Sequence, residues 1–223
     1  MSDTIKMQLV DAALPHVAFD GWSDETFEAA VVDADVNPTV AKAVCPRGAV
    51  DLAVAFHERG DVQMRAALEA ADLSDMRFRD RVAFAVKTRL ELCDDKEVVR
   101  RGTTLFALPQ HAATGTKLIW GTADAIWTAL GDTSDDINWY SKRATLSAVY
   151  GSTVLYWLGD ESEAHADTWA FLDRRIDNVM QFEKAKAAFN KSPFAKIMAG
   201  PLVALGRVKA PEKTPPMPGR WND

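Results

Sequence analysis

His16, His57, His111, His165, Cys45 and Cys93 are the side chains best suited to bind a metal or attack a substrate, and none is spaced to do so. No His-Glu-x-x-His run or Cys/His zinc pattern occurs. A carboxylate-bridged di-iron bundle needs two Glu-x-x-His pairs on facing helices. Here Glu161 and His165 stand four apart and unaccompanied. Asp132, Ser134, Asp135 and Asp136 suggest a calcium loop, but the twelfth position is Arg143 where a bidentate glutamate is required. Asp136 is better read as the cap of the helix that follows. Gly21-Trp-Ser23-Asp-Glu25 lacks the second glycine of a nucleophile elbow, and no phosphate-binding glycine loop is present. The residues therefore point to a chain that is not an enzyme and needs no cofactor or metal.

Composition is that of an ordinary soluble globular protein. Of 223 residues, 48% are apolar and 26% charged, an ordinary balance for a water-soluble fold with a sizeable core. A net charge of −6 disfavours nonspecific nucleic-acid binding. The two isolated cysteines suit small core residues in a reducing compartment. Asp3, Asp11 and Asp20 are unlike a signal or transit peptide. The uncharged run Ala144 to Gly159 is too short and too polar for a membrane span. These features give a cytoplasmic expectation. The charge is uneven: acidic residues dominate positions 1–48 and basic residues dominate 184–223. Different partners at the two ends follow from that.

The elements that position these residues are all helical. Ile5, Leu9, Ala13 and Val17 recur at helical spacing, with Asp3 or Thr4 as N-cap, and Asp20-Gly21 ends that helix. Ser23 or Asp24 caps a short second helix, and Asn37-Pro38 opens a third. Pro46-Arg-Gly48 breaks it, and a helix follows to about Gly60. Further helices are expected at about 62–71, 74–92, 95–107, 110–130, 135–158 and 162–189. The expected division is a helix-turn-helix unit over 1–48, a helical bundle over 49–190, an amphipathic segment over 191–209 and a disordered, proline-rich tail over 210–223. The first unit looks like the N-terminal module of TetR-type regulators. A DNA-reading helix needs polar and basic side chains. Pro38 to Cys45 offers only Thr39 and Lys42, behind an acidic helix carrying Asp24, Glu25 and Glu28. The module is expected to be structural. A ligand-responsive TetR-type repressor is the alternative reading.

Gly131 to Lys186 is the most specific stretch. It carries Asn138-Trp139-Tyr140 and Trp169-Ala-Phe-Leu-Asp-Arg-Arg-Ile176. This resembles the ubiquinone (coenzyme Q) biosynthesis accessory family, the Coq-nine proteins, and the likeness extends over most of the chain. The resemblance implies an all-α, TetR-like protein that is not itself catalytic. Such a protein binds an isoprenoid quinone or phospholipid and presents a quinone precursor to the di-iron demethoxyubiquinone hydroxylase. It implies a patch of Asp136, Asn138, Trp139, Tyr140 and Arg143 for that partner. It also implies a C-terminal amphipathic helix that meets anionic membrane, which fits a bacterial protein peripheral to the inner membrane. A homodimer is expected, without nucleic acid.

Two features of the residues accord with this. Aromatic side chains crowd positions 78–157, and Phe78, Phe84, Phe106, Trp120, Trp127, Tyr150 and Trp157 are the candidate walls of an apolar pocket. There each buried methylene of a ligand contributes about 0.8 kcal/mol. Phe194, Ile197, Met198, Leu202 and Leu205 form an apolar stripe flanked by Lys196, Arg207 and Lys209. Gly200-Pro201 should kink that stripe, since an interior proline costs about 3 kcal/mol.

Overall fold

Local sequence sets where each helix begins. The computed structural model describes residues 2–190 and 209–211. Among these, nine α-helices occur: α1 (Ser2–Asp20), α2 (Asp24–Asp33), α3 (Pro38–Val44), α4 (Ala49–Ala70), α5 (Phe78–Glu91), α6 (Lys96–Ala107), α7 (Ala112–Ala129), α8 (Ile137–Gly159) and α9 (Ala166–Asn190). Ser23 accepts from the Thr26 amide, Asn37 from Thr39, Asp95 from Glu97 and Asp136 from Asn138. Each satisfies an amide that the first helical turn leaves unpaired. Pro38 occupies the first turn of α3, where its missing N–H costs nothing. Gly21 and Gly48 hold φ near +68° and +58°, so the chain reverses where side-chain-bearing residues would be strained.

Two apolar clusters organise the molecule. Leu9, Val10, Ala13 and Val17 of α1 pack with Phe27, Val31, Ala41, Leu52 and Val98. Met64, Leu68, Val86, Leu90, Ile126, Leu146, Val149, Trp157, Leu172 and Ile176 form the second. The long helix α4 feeds both, its first half into one and its second half into the other. Arg59 of α4 pairs with Asp11 of α1 at 2.5 Å, and Arg101 of α6 donates to the Ala18 carbonyl near the end of α1.

The expected break at Gly60 does not occur: α4 runs unbroken through it. Glycine is there for packing. A methyl group at Gly60 would lie 2.5 Å from the Arg89 guanidinium carbon. The helix gives up some propensity so that Arg89 can cross its surface. The last expected helix starts late. Residues 163–165 form a 3-10 turn in which Ala164 and His165 take positive φ, and α9 begins at Ala166. Among the described residues, no helix is long and apolar enough to cross a membrane.

Candidate functional site

Small residues on facing helices leave a cavity between α4, α5, α6, α7 and α8. Its volume is about 420 Å³. That lies within the range of about 300–1,000 Å³ usual for small-molecule sites. Ala53, Gly102, Ala107, Ala112, Gly115 and Gly151 keep the walls thin. At Gly115 a methyl group would meet Phe106 Cβ at 2.7 Å, so glycine lets α6 and α7 approach. Phe56, Phe106, Ile119, Val154 and Leu155 supply apolar surface, and Trp22 reaches in from the α1–α2 turn to pack 5.8 Å from Phe56. The rim at Ala107, Ala112, Thr116 and Leu155 is exposed, whereas the floor at Ala53, Arg89, Leu90 and Tyr150 is buried.

The floor is polar and internally paired. Arg89 donates to Asp61 at 2.8 Å and to the His57 carbonyl at 2.9 Å. Asp61 also accepts from the Thr122 hydroxyl at 2.9 Å, and His57 Nε2 lies 2.8 Å from the same hydroxyl. Burial, reinforced by the Arg89 charge, lowers the His57 pKa to about 4. Burial pushes the Tyr150 phenol up to about 12. At neutral pH the floor therefore holds a neutral imidazole and a protonated phenol. Buried ion pairs survive when their hydrogen bonds are met, as these are.

Of the seven aromatic residues expected to line a pocket, Phe106 and Tyr150 do so. Phe78 and Trp127 stack at 5.5 Å beside a separate groove of about 210 Å³ between α5, α8 and α9. Phe84 packs against the second cluster. Trp157 is buried there beneath Lys96. Trp120 leans on Trp139 at 6.0 Å. The sequence assigned His57, Asp61 and Arg89 to no site. The available signal was His57 and Asp61 spaced i,i+4 on one helix.

The candidate partner patch divides in two. Asp136 and Asn138 are exposed, and Trp139 and Tyr140 are half-buried and meet edge to face at 4.8 Å. Arg143, expected on the patch surface, is instead buried at 2% exposure. It pairs with Asp124 and, at 2.9 Å, with Asp132, and sits 4.0 Å from the Trp139 ring. Its role is to fix Trp139 from below. Burial alone would raise Asp132, but hydrogen bonds from Lys142, Arg143 and Ser134 outweigh it and hold the carboxyl well below its usual range. The chain returns to this place after the α9 region: the Ala210 amide donates to the Asp135 carbonyl at 2.8 Å, and the Tyr140 hydroxyl donates to the Lys209 carbonyl at 3.3 Å. The membrane stripe Phe194, Ile197, Met198, Leu202 and Leu205 lies outside the described residues.

Comparison with known proteins places this geometry. Residues 112–183, spanning α7, α8 and most of α9, match the COQ9 family model. The chain is 33% identical over 188 residues to ubiquinone biosynthesis protein COQ9, mitochondrial, of Drosophila melanogaster, covering 81% of this chain and 57% of that protein. It is 28% identical over 191 residues to the probable ubiquinone biosynthesis protein coq9, mitochondrial, of Dictyostelium discoideum, covering 82% and 62%. The chain thus spans a little under two thirds of the length of these relatives. A TetR transcriptional regulator from Nitrosomonas europaea ATCC 19718 superposes with a TM-score of 0.64 at 20% identity, covering 78% of this chain and 97% of that one. At that identity the likeness establishes the fold alone. With the Asn-Trp-Tyr patch inside the matched region and the helices arranged as in that regulator, the chain is similar to COQ9 proteins over most of its length and is built on a TetR-like, all-helical scaffold.

Proposed function

We propose that this protein acts in ubiquinone biosynthesis as a lipid-binding accessory protein. It holds a prenylated quinone precursor in the cavity between α4 and α8 and presents it to demethoxyubiquinone hydroxylase through the Asn138–Tyr140 patch. The single observation that carries this reading is the cavity itself, walled by small and aromatic residues and open at one rim, in a chain similar to COQ9 proteins. Burial of the isoprenoid methylenes supplies the affinity, about 0.8 kcal/mol each, so few polar contacts are needed. The C-terminal stripe would hold the protein at an anionic membrane surface, from which the lipid is drawn, and two copies would associate as a homodimer. The names of the relatives, all ubiquinone biosynthesis proteins, support the pathway.

Native mass spectrometry after incubation with a short-chain ubiquinone analogue tests the reading. A one-to-one adduct that disappears in Ile119→Trp, which fills the cavity, is the expected result. A chain that stays unliganded under conditions where the analogue is soluble overturns it.

A further inference from the structure

The polar floor of the cavity has one unused position, and its chemistry is set by proton counting. The Thr122 hydroxyl has a single proton and lies 2.9 and 3.0 Å from the two Asp61 oxygens. A hydrogen bond to an ionised carboxylate is the stronger choice, so Thr122 donates to Asp61. Asp61 also accepts from Arg89 at 2.8 Å. The 2.8 Å contact between His57 Nε2 and the Thr122 oxygen can then form only if Nε2 carries the proton. The imidazole is neutral, because burial and the Arg89 charge oppose a second proton. Nδ1 is left as a bare lone pair.

The Leu118 carbonyl, beside the Thr122 hydroxyl, also accepts from His57, and Nδ1 is not sealed from the cavity side. Nδ1 makes no hydrogen bond to a described residue, and it is not among the sealed polar atoms that lack a partner, which are Arg79 Nε, Arg101 Nε and Ser147 Oγ. His57 forms part of the cavity wall. Tyr150 lines the same floor, and its hydroxyl, hydrogen-bonded to Thr122, stays protonated. An acceptor and a phenolic O–H therefore sit together at the buried end of an otherwise apolar cavity.

We infer that His57 Nδ1 accepts a hydrogen bond from a phenolic hydroxyl on the head of the bound lipid, so that the cavity takes a hydroxyl-bearing, reduced aromatic ring in preference to the same ring without O–H donors. The head enters first, toward Arg89 and Tyr150, and the chain lies along Phe106, Ile119 and Leu155 to the rim. A phenol suits this acceptor because it is a far stronger donor than an aliphatic alcohol. A ring without a donor would leave Nδ1 buried and unpaired, and an unmet buried group is what gives polar discrimination its size. The inference rests on the cavity being the lipid site.

Calorimetric titration of the full chain, without oxygen, with hexylhydroquinone and with its dimethyl ether tests it. The hydroquinone is expected to bind roughly tenfold more tightly, the ratio supplied by one net hydrogen bond. His57→Phe keeps the ring volume and removes Nδ1; the ratio should fall to about one while ether affinity stays within about twofold. Should that variant fold poorly, His57→Leu serves, because it removes Nδ1 and brings no acceptor in its place. Equal binding of the two ligands by the unaltered chain, or a preference that survives these substitutions, overturns the role of His57 and leaves the lipid cavity standing. Binding of neither ligand overturns both.

Discussion

At the scale of single residues, polar groups decide more here than the apolar surface around them. Gly60 is a notch for Arg89. Alanine there would gain up to about 1 kcal/mol of helix propensity. Its methyl group would also displace a guanidinium that is 4% exposed and paired to Asp61. Disturbing a buried pair costs about 3–5 kcal/mol, so Gly60→Ala should lower stability by about 2–4 kcal/mol in urea unfolding. His57 gives a pH signature. Its pKa falls from 6.5 to about 4 on folding, so the unfolded chain binds the extra proton first. Stability is then full above pH 6.5 and drains as pH falls toward 4, by on the order of 3 kcal/mol. His57→Phe should lack that loss, and unfolding curves of the two proteins at pH 7 and pH 4.5 should diverge accordingly. Arg143 and Tyr140 should separate structure from docking. Arg143→Ala removes one of two cationic partners of Asp132, leaving Lys142 and Ser134, and should cost about 1.5–3 kcal/mol. Tyr140→Ala should cost about 1 kcal/mol and weaken hydroxylase binding in a pull-down. If Tyr140→Ala leaves that binding intact, the patch is not the docking site.

At the scale of elements, caps and breakers act locally and interfaces act on whole helices. Ser23, Asn37, Asp95 and Asp136 each start a helix, and their effect is confined to one turn. The cavity instead depends on five helices, four of which, α4, α6, α7 and α8, line it with alanine or glycine. The apolar stripe from Phe194 to Leu205 is proposed to bind membrane, a task separable from the bundle. Anionic liposomes should retain the full chain better than a chain ending at Asn190. Lys196, Arg207 and Lys209 add about 1 kcal/mol each at the charged surface, a share that fades with salt. Replacing Phe194 and Leu202 together by aspartate should abolish retention and leave the melting temperature unchanged. A sharp fall in melting temperature with liposome binding intact would place the stripe in internal or dimer packing instead.

At the scale of the whole molecule, a TetR-like scaffold is present without the charge that DNA binding requires. Residues 1–48 hold Lys6, Lys42 and Arg47 against eight carboxylates, and α2 presents acids beside α3. Affinity for DNA comes largely from cations that release counterions from phosphate. Gel-shift titration should accordingly find no complex below micromolar protein at physiological salt. A protected palindrome at nanomolar protein would restore the repressor reading.

The sequence by itself determined the helical class, the caps at Ser23, Asn37 and Asp136 but not the start of α1, the TetR-like order of elements and the likeness to the family, because these depend on periodicity and on motifs contiguous along the chain. Asn37-Pro38 and Asp136 were legible for that reason. Which side of a helix a residue occupies, and what lies opposite, was decided only by tertiary structure. Gly60 reads as a breaker until Arg89 is seen against it. Arg143 reads as a surface cation until Asp124 and Asp132 close around it. Phe84, Trp120 and Trp157 read as pocket walls as readily as Phe106 and Tyr150, since an aromatic residue on an apolar face serves a filled core and a hollow one alike. A cavity is a property of the gap between helices. It is set here by Gly102, Gly115 and Gly151, which sit far apart in sequence on three helices and carry no signal until those helices are packed together.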